Sequence, residues 1–177
     1  MVTGMHTSLP SLEEIWAWLD SVNDPEIPIL SVIDLGIVRN VRFTQDNHGS
    51  TATDEQEFAP TVVVTVTPTY SGCPAIAVIK NEIQGALQQR GIDRVRVDTQ
   101  LSPAWTTDWM TERGRKRLRE YGIAPPEPQA ANPSTLIPCP RCGSPDTRLV
   151  SRFGSTPCKA FYICNSCLEP FDYFKCH

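Results

Sequence analysis

The chain has 177 residues, 40% of them hydrophobic and 20% charged, which suits one ordinary domain plus a small module and excludes a fibrous or wholly disordered protein. Its formal net charge of −4 disfavours nucleic acid as a partner, because neutralising phosphates requires clustered Lys and Arg. No apolar run approaches the ~20 residues that span a bilayer, and the N-terminus lacks the pattern of a secretory signal. We therefore expect a cytoplasmic protein without a membrane partner.

The N-terminal part of the chain predicts a helix followed by a rigid connector. Ser11 and Glu14 have the spacing of a capping box, and the apolar residues between 11 and 21 share one helical face. The segment 24–28 reads Asp-Pro-Glu-Ile-Pro and cannot continue a helix, because proline lacks an N–H and drives the preceding residue toward extended geometry. An acidic turn is expected there.

Three strands and a second helix are predicted between residues 33 and 98. Apolar residues in 33–43 favour a strand, and the polar stretch 44–59 is typical of an exposed hairpin loop. Alternating Val and Thr in 61–67 indicate the central strand, and residues 74–91 carry apolar side chains at helical spacing. Apolar and polar residues alternate again at 95–98, which predicts the third strand. The order helix, strand, strand, helix, strand predicts a small two-layer α/β sandwich.

The chain beyond this sandwich predicts one more helix and then a linker. Residues 108–121 suit a helix, although Gly114 weakens it, and the basic run 113–119 is interpreted as a solvated face in preference to a nucleic-acid contact. Prolines then become frequent. The expected boundaries are an α/β domain at 8–124, a Pro-rich linker at 125–136 and a four-cysteine zinc ribbon at 137–177.

Two C-x-x-C pairs give the strongest local signal in the sequence. Cys139 and Cys142 are separated by 21 residues from Cys164 and Cys167, close to the spacing of a structural zinc site. Four thiolates at about 2.3 Å from zinc would hold together a module that is too small to fold on its own apolar side chains. A site closed by four cysteines has no open position for water or substrate, so we expect structural zinc.

Further ligand-type residues lie in the same C-terminal module. Cys158, Cys176 and His177 supply two extra thiols and an imidazole, which leaves an iron-sulfur cluster or another ligand set open as alternatives to zinc. Their roles cannot be assigned from spacing alone.

Cys73 is the second candidate for chemistry. It stands in the segment 68–74, between the clearest strand and the clearest helix, where the unpaired N–H groups of a helix start favour a thiolate. A reactive thiol or a transient metal ligand is the functional interpretation. The alternative is a small buried hydrophobe, which is how many unpaired cysteines serve.

Three carboxylates precede the sheet and could reach the same end of the domain as Cys73. These are Asp24, Glu26 and Asp34, for which capping and turn formation are the alternative roles.

No signature of an independent enzyme is visible. The sequence lacks a Ser-His-Asp arrangement, a phosphate loop and a dinucleotide fingerprint. With only three histidines, it also offers few candidates for a general base that would activate Cys73. We expect no catalytic activity from this chain alone.

Several sequence blocks together resemble a known family. The segments 24–28, 34–38, 68–74 and 105–110 are similar to the iron-sulfur assembly domain of SufT-like proteins, over roughly residues 11–122. The segments 153–159 and 167–175 resemble the ribbon of the PaaD (or PaaJ) family of phenylacetyl-CoA epoxidase components, and extend the resemblance over nearly the whole chain.

This resemblance implies an accessory subunit of a multicomponent phenylacetyl-CoA monooxygenase in phenylacetate catabolism. A di-iron oxygenase subunit and a flavin and iron-sulfur reductase would perform the chemistry, and these proteins are the implied partners. Carried over by position, Cys73 would be the reactive thiol, holding iron or an iron-sulfur cluster transiently, and Asp24, Glu26 and Asp34 would line its site.

Two other functions remain open from the residues alone. One is a structural adaptor in which Cys73 is merely packed, and the other is a zinc-ribbon nucleic-acid module that uses the basic run. An exposed sheet edge would also permit a homodimer.

Overall fold

A computed structural model describes residues 9–45, 60–126 and 136–175. Most of the predicted hairpin loop, the greater part of the predicted linker, Cys176 and His177 lie outside the described residues. In the part of the chain that is described, no helix is both long and apolar enough to cross a membrane.

The first helix forms as its capping signal predicts. Helix α1 spans Leu12–Leu19, and Ser11 caps it because its hydroxyl accepts from the Glu14 N–H at 3.2 Å while the Glu14 carboxylate accepts from the Ser11 N–H at 2.8 Å. Ile15 and Leu19 face inward and are fully buried. The capping box therefore fixes where the chain enters the α/β domain.

A three-stranded sheet is the centre of the first domain. Strands β1 (Val38–Thr44) and β2 (Thr61–Val66) pair antiparallel, helix α2 (Ala75–Gln88) crosses over, and β3 (Val95–Thr99) pairs with β2 in parallel. Every residue of β2 is buried, which confirms it as the central strand. The order of elements and the α/β sandwich are confirmed, while a homodimer through the edge strand β1 or β3 stays a prediction.

The first strand begins later than the sequence indicated. Residues 31–36 form consecutive turns, in which the Leu35 N–H donates to the Ser31 carbonyl and the Gly36 N–H donates to the Ile33 carbonyl, both at 3.0 Å. Gly36 has a φ of +66°, and a Cβ there would lie 2.2 Å from the Trp109 carbonyl oxygen. The apolar residues of this segment therefore serve turns and core packing, and not a strand.

The basic helix after the sheet packs on the turn that contains Asp34. A 3-10 turn covers Thr107–Trp109, and α3 follows over Glu112–Tyr121 with Thr111 as its N-cap. A Cβ at Gly114 would lie 2.9 Å from the Asp34 carbonyl oxygen. Gly114, which the sequence indicated as a weak point, is thus the position where α3 approaches the turn most closely.

The C-terminal module is a four-stranded sheet in the order β4-β7-β6-β5. Its strands are β4 (Ile123–Ala124), β5 (Thr147–Ser151), β6 (Lys159–Cys164) and β7 (Pro170–Phe174). Strand β4 pairs with β7 in parallel, so residues at the end of the predicted first domain add an edge to the ribbon sheet. The predicted boundaries at 124 and 137 stay a prediction.

The two modules share apolar packing. Phe174 at the end of β7 is 1% exposed and meets Trp105 edge to face, with ring centroids 6.1 Å apart. Trp105 also donates its indole N–H to the Leu35 carbonyl at 2.9 Å. Phe174 and Cys158 belong to the same buried cluster as the core of the sandwich, so the ribbon packs directly on the α/β domain.

Candidate functional site

The four ribbon cysteines converge on one point. The sulfurs of Cys139 and Cys167 lie 3.7 Å apart, those of Cys142 and Cys164 lie 3.6 Å apart, and all four lie within 4.8 Å of one another. A tetrahedron with zinc–sulfur bonds of about 2.3 Å has edges of about 3.8 Å. Both the donor set and its spacing therefore fit a metal that four thiolates enclose.

Two similar turns produce this convergence. The Gly143 N–H donates to the Cys139 carbonyl at 2.8 Å, and the Leu168 N–H donates to the Cys164 carbonyl at 3.0 Å. The residue that follows each pair adopts a left-handed backbone, with φ of +75° at Gly143 and +64° at Leu168. Each C-x-x-C segment thus closes on itself and aims two sulfurs at the same centre.

Backbone donors make one of these thiols acidic. The Cys164 sulfur accepts from the Cys167 N–H at 3.5 Å, and backbone hydrogen bonds from Cys167 and then Ser166 outweigh burial and lower the pKa of Cys164 to about 7. Hydrogen bonds that stabilise a thiolate in this way favour metal ligation.

Cys158 is not part of this cluster. Among the described residues, the four cysteines of the C-x-x-C pairs are the one group placed to hold a metal ion. Cys158 lies instead at the junction with the α/β domain. Cys158 thus lies outside the ribbon centre, while Cys176 and His177, the other residues of the alternative ligand sets, are outside the described residues.

Cys73 stands at the start of α2, as the sequence indicated. Its N–H donates to the Tyr70 carbonyl at 3.1 Å, and its carbonyl accepts from the Ile76 N–H at 3.3 Å, so a tight turn leads into the helix. The thiol is half-buried. It is accessible from one side and packs against the core on the other.

The helix start does not make this thiol acidic, contrary to the expectation from sequence. Burial raises the pKa of Cys73, the N–H groups of Ala75 and Ile76 lower it, and the charges of Glu26 and Asp24 raise it again. The sum lies above the ordinary value of 9.0. Cys73 is therefore a protonated thiol near neutral pH until a cation or a reaction removes the proton.

Asp24 and Glu26 lie near Cys73, but only Glu26 is free of a turn-forming role. The Asp24 carboxylate accepts from the N–H groups of Glu26 and Ile27, both at 2.8 Å, and so closes the acidic turn. Burial raises the pKa of Asp24. The side chain of Glu26 instead turns toward the ribbon.

Two ribbon residues complete the surroundings of Glu26. The Cys158 sulfur lies 3.6 Å from Glu26 Oε2 and 3.0 Å from the Thr156 hydroxyl, and burial raises its pKa to about 11. Lys159 is 6% exposed and donates to the Glu26 carbonyl at 3.3 Å and to the Ser155 hydroxyl at 3.1 Å. The contact between Cys158 and Glu26 was not predicted from the sequence. The one feature that pointed to it was that Cys158 belongs to neither C-x-x-C pair.

A cleft of about 470 Å³ opens beside this junction. Its walls include Glu26 and Lys159 with Tyr121 from the end of α3 and Phe171 from β7. The carboxylate that touches Cys158 can therefore be reached from solvent between the two modules.

Asp34 has a different environment. Its fully buried carboxylate accepts from Arg113 Nε and Arg117 at 2.6 Å each and from the Thr111 hydroxyl at 2.9 Å. Burial alone would raise the pKa of Asp34, but these donors hold it below its usual value. The arginines of the basic run anchor α3 through this carboxylate and through Asp20, and a place for Asp34 at the Cys73 site stays a prediction.

Comparisons with known proteins assign both modules. Residues 12–99 match a family model described as an iron-sulfur cluster assembly protein, and residues 124–175 match one described as the PaaD zinc beta ribbon domain. A curated Escherichia coli K12 protein, named "Putative 1,2-phenylacetyl-CoA epoxidase" and designated its D component, is 51% identical over 169 residues, covering 94% of each chain.

Three solved bacterial structures are similar to part of the chain. A DUF59 domain of unknown function from Bacillus anthracis is 23% identical, with a TM-score of 0.49 over 60% of this chain and 89% of that one. A conserved hypothetical protein from Thermotoga maritima is 25% identical, with a TM-score of 0.45 over 62% and 94%. Rv1466 from Mycobacterium tuberculosis, titled as associated with Fe-S complex assembly and repair, is 29% identical, with a TM-score of 0.36 over 67% and 93%.

The fold and the matches define an iron-sulfur-assembly-type α/β domain fused to a four-cysteine ribbon. The chain belongs to the PaaD family of phenylacetyl-CoA epoxidase subunits.

Proposed function

We propose that this protein is a non-catalytic maturation factor of a phenylacetyl-CoA epoxidase system. Cys73 holds iron or an iron-sulfur cluster in transit, and the oxygenase or reductase subunit receives it. The observation that carries the proposal is the position of Cys73: a half-buried thiol at the start of α2, with a pKa that the charge of Glu26 helps to raise, inside a domain that matches an iron-sulfur cluster assembly family.

The environment of Cys73 suits a cargo that is released again. A metal ion can bind this thiol only by displacing its proton, and the raised pKa makes that displacement more costly than at an ordinary cysteine. Binding is therefore weaker than at four preformed thiolates such as those of the ribbon. Weak binding favours transfer of the cargo over its storage.

The ribbon has a supporting role in this proposal. Cys139, Cys142, Cys164 and Cys167 hold one structural zinc, for which their donor set and their sulfur spacing are suited. Its surface carries large exposed apolar side chains, namely Leu149, Val150, Phe153 and Leu168, which are 46–76% exposed. Such exposure supports docking of a client subunit on the ribbon.

Co-expression with the oxygenase and reductase subunits tests the proposal. Cys73→Ser is compared with Ser71→Ala, an exposed change in the same loop. We expect Cys73→Ser to lower the iron content of the client and the epoxidase turnover several-fold, while Ser71→Ala leaves both unchanged. Wild-type iron and turnover with Cys73→Ser would refute a role of this thiol in maturation.

The burial and raised pKa of Cys73 also favour a second candidate, a structural adaptor that transfers no metal. An adaptor would co-purify with its client at fixed stoichiometry, and replacing Cys73 would change neither that stoichiometry nor the client iron. The co-expression experiment separates the two functions because it measures both quantities on the same samples.

A further inference from the structure

The ribbon contributes a thiol to the neighbourhood of Cys73. Cys158 Sγ lies 3.6 Å from Glu26 Oε2, although the two residues are 132 positions apart in sequence. The backbone around Cys158 is held firmly, because its carbonyl accepts from the Lys175 N–H at 3.0 Å and the Lys159 N–H donates to the Thr156 carbonyl at 3.0 Å. The thiol therefore has a fixed place at the junction of the two modules.

This thiol cannot serve the ribbon metal. Cys158 immediately precedes β6, whereas Cys164 is the last residue of that strand. Six residues of extended chain at about 3.3 Å each separate their Cα atoms by about 20 Å. Cys158 is thus left for chemistry at the other end of the strand, where the α/β domain begins.

The two thiols share a set of neighbours. Glu26 and Asp24 both act on the pKa of Cys73 and on that of Cys158. Tyr70 is influenced by both thiols. Burial is the largest cause that raises the pKa of Tyr70, and the charges of Cys73, Glu26 and Cys158 raise it further. Tyr70 and Cys73 also pack against the buried cluster that contains Cys158, so the two thiols border the same core within the influence of the same carboxylates.

We infer that Cys158 and Glu26 act together with Cys73 as ligands of the transient iron site, which then spans the two modules. The inference rests on the proposed function, because Cys73 must first be a carrier. Two thiols and a carboxylate suit Fe(II), which accepts sulfur and oxygen donors. Lys159, by donating to the Glu26 carbonyl, positions this ligand.

The chemistry of this site is ligand exchange without electron transfer. Fe(II) displaces one proton from each of the two thiols, both protons pass to the solvent, and Glu26 binds as the carboxylate. The client later removes Fe(II), and the thiols take up two protons again. Among the described residues only the ribbon thiols already lie within 4.8 Å of one another, so the side chains of Cys73, Cys158 and Glu26 must come closer together to bind Fe(II).

An anaerobic titration with Fe(II) alone tests the inference on the full-length, zinc-loaded chain. Bound iron is followed by its thiolate charge-transfer absorption and by analysis after desalting. We expect wild type to bind one Fe(II) per chain. Cys158→Ser and Cys158→Ala should each weaken binding by at least about tenfold, because loss of even a partner that only orients a ligand weakens metal binding by about that much, while zinc stays at one per chain. Glu26→Gln should weaken binding in the same direction, with Glu13→Gln in α1 as its exposed control.

The pair of Cys158 variants separates ligation from packing. Because Cys158 is 5% exposed in an apolar cluster, a packing role predicts that Ala preserves iron binding better than Ser. Equal loss in both, with unchanged zinc content, supports ligation.

Two other outcomes overturn the inference in different ways. If Cys73→Ser abolishes iron binding while both Cys158 variants bind as wild type does, Cys158 is not a ligand and the proposed function stands. If wild type binds no iron beyond the level of Cys73→Ser, the carrier function and this inference fail together.

Discussion

The Cys158 thiol of the ribbon lies 3.6 Å from the Glu26 carboxylate of the α/β domain. Because the charge of Glu26 also raises the pKa of Cys73, the ribbon contacts a residue that acts on this thiol. In the proposed function the ribbon docks a client subunit, and this contact adds a second proposed role whose effects can be measured separately.

Removing zinc should disturb the α/β domain as well as the ribbon. Phe174 lies in the shared core against Trp105, so unfolding of the ribbon exposes that indole to water. We expect Cys142→Ser to lose the zinc and to shift tryptophan emission to longer wavelength. The shift should be absent in Cys73→Ser, which keeps its zinc, and much reduced when Trp105→Phe is added to the Cys142 change. An unchanged emission spectrum in zinc-free protein would contradict the shared core.

The Cys73 thiol should react slowly at neutral pH. Since burial and the charges of Glu26 and Asp24 raise its pKa, the reactive thiolate is scarce at pH 7 and increases about tenfold per pH unit up to that pKa. Alkylation by iodoacetamide, located by mass spectrometry on zinc-loaded protein, should follow this trend.

Replacing one acidic neighbour should change that rate. In Glu26→Gln a charge that raises the pKa of Cys73 is gone, so alkylation at pH 7 should be several-fold faster than in wild type. Glu13→Gln, in the exposed first turn of α1, serves as the control. Rapid alkylation of wild type at pH 7, at the rate of a low-pKa thiol, would show that the helix start dominates after all.

The ion pairs of α3 should contribute unequally to stability. Arg113 bridges Asp34, which is fully buried, and Asp20, which is partly exposed, so Arg113→Met leaves the buried carboxylate of Asp34 with fewer donors. We expect a loss of about 2 to 4 kcal/mol in the free energy of unfolding, somewhat less than for a fully buried pair because the arginine is half-exposed. Lys116→Met, which removes an exposed pair with Glu120 at 3.7 Å, should cost less than about 1 kcal/mol. Urea unfolding measures both, and equal losses would contradict this account.

Acid should remove the stabilisation that Asp34 provides. Its donors hold the pKa of the folded state below that of the unfolded chain, so the carboxylate stabilises the fold above about pH 4, and this contribution is lost as the pH falls through the folded-state pKa. The difference in unfolding free energy between wild type and Asp34→Asn should be constant from about pH 6 to 4.5 and shrink below pH 4. Loss of zinc in acid affects both proteins alike. A difference that stays undiminished from about pH 4.5 to 2.5 would mean that the charge of Asp34 is not what stabilises the fold.

Features that depend on neighbouring residues were predictable from the sequence. The capping box of Ser11 and Glu14, the alternation of β2 and the two C-x-x-C turns each follow from side chains a few positions apart. Such patterns determine backbone geometry locally, so the order of elements and the ribbon centre could be predicted.

Features that depend on residues far apart in the chain could not be predicted from the sequence. Asp34 is partnered by Arg113, 79 positions later, and Glu26 meets Cys158 only because the ribbon packs on the sandwich. The acidity of Cys73 was misjudged for the same reason: the helix start is local, whereas the burial that outweighs it arises from tertiary packing. Strand β4 is two residues long and pairs with β7 nearly fifty residues later, so no local pattern marks it.

Transfer of iron from this chain to its client is the most direct test of the central claim. Zinc-loaded protein carrying Fe(II), with or without sulfide, is mixed anaerobically with oxygenase or reductase depleted of its metal centre, and client iron is followed over time against an equal amount of iron in solution. The account predicts that wild type loads the client faster than free iron does and that Cys73→Ser does not. Equal loading by wild type, Cys73→Ser and free iron would contradict it and leave the protein as an adaptor.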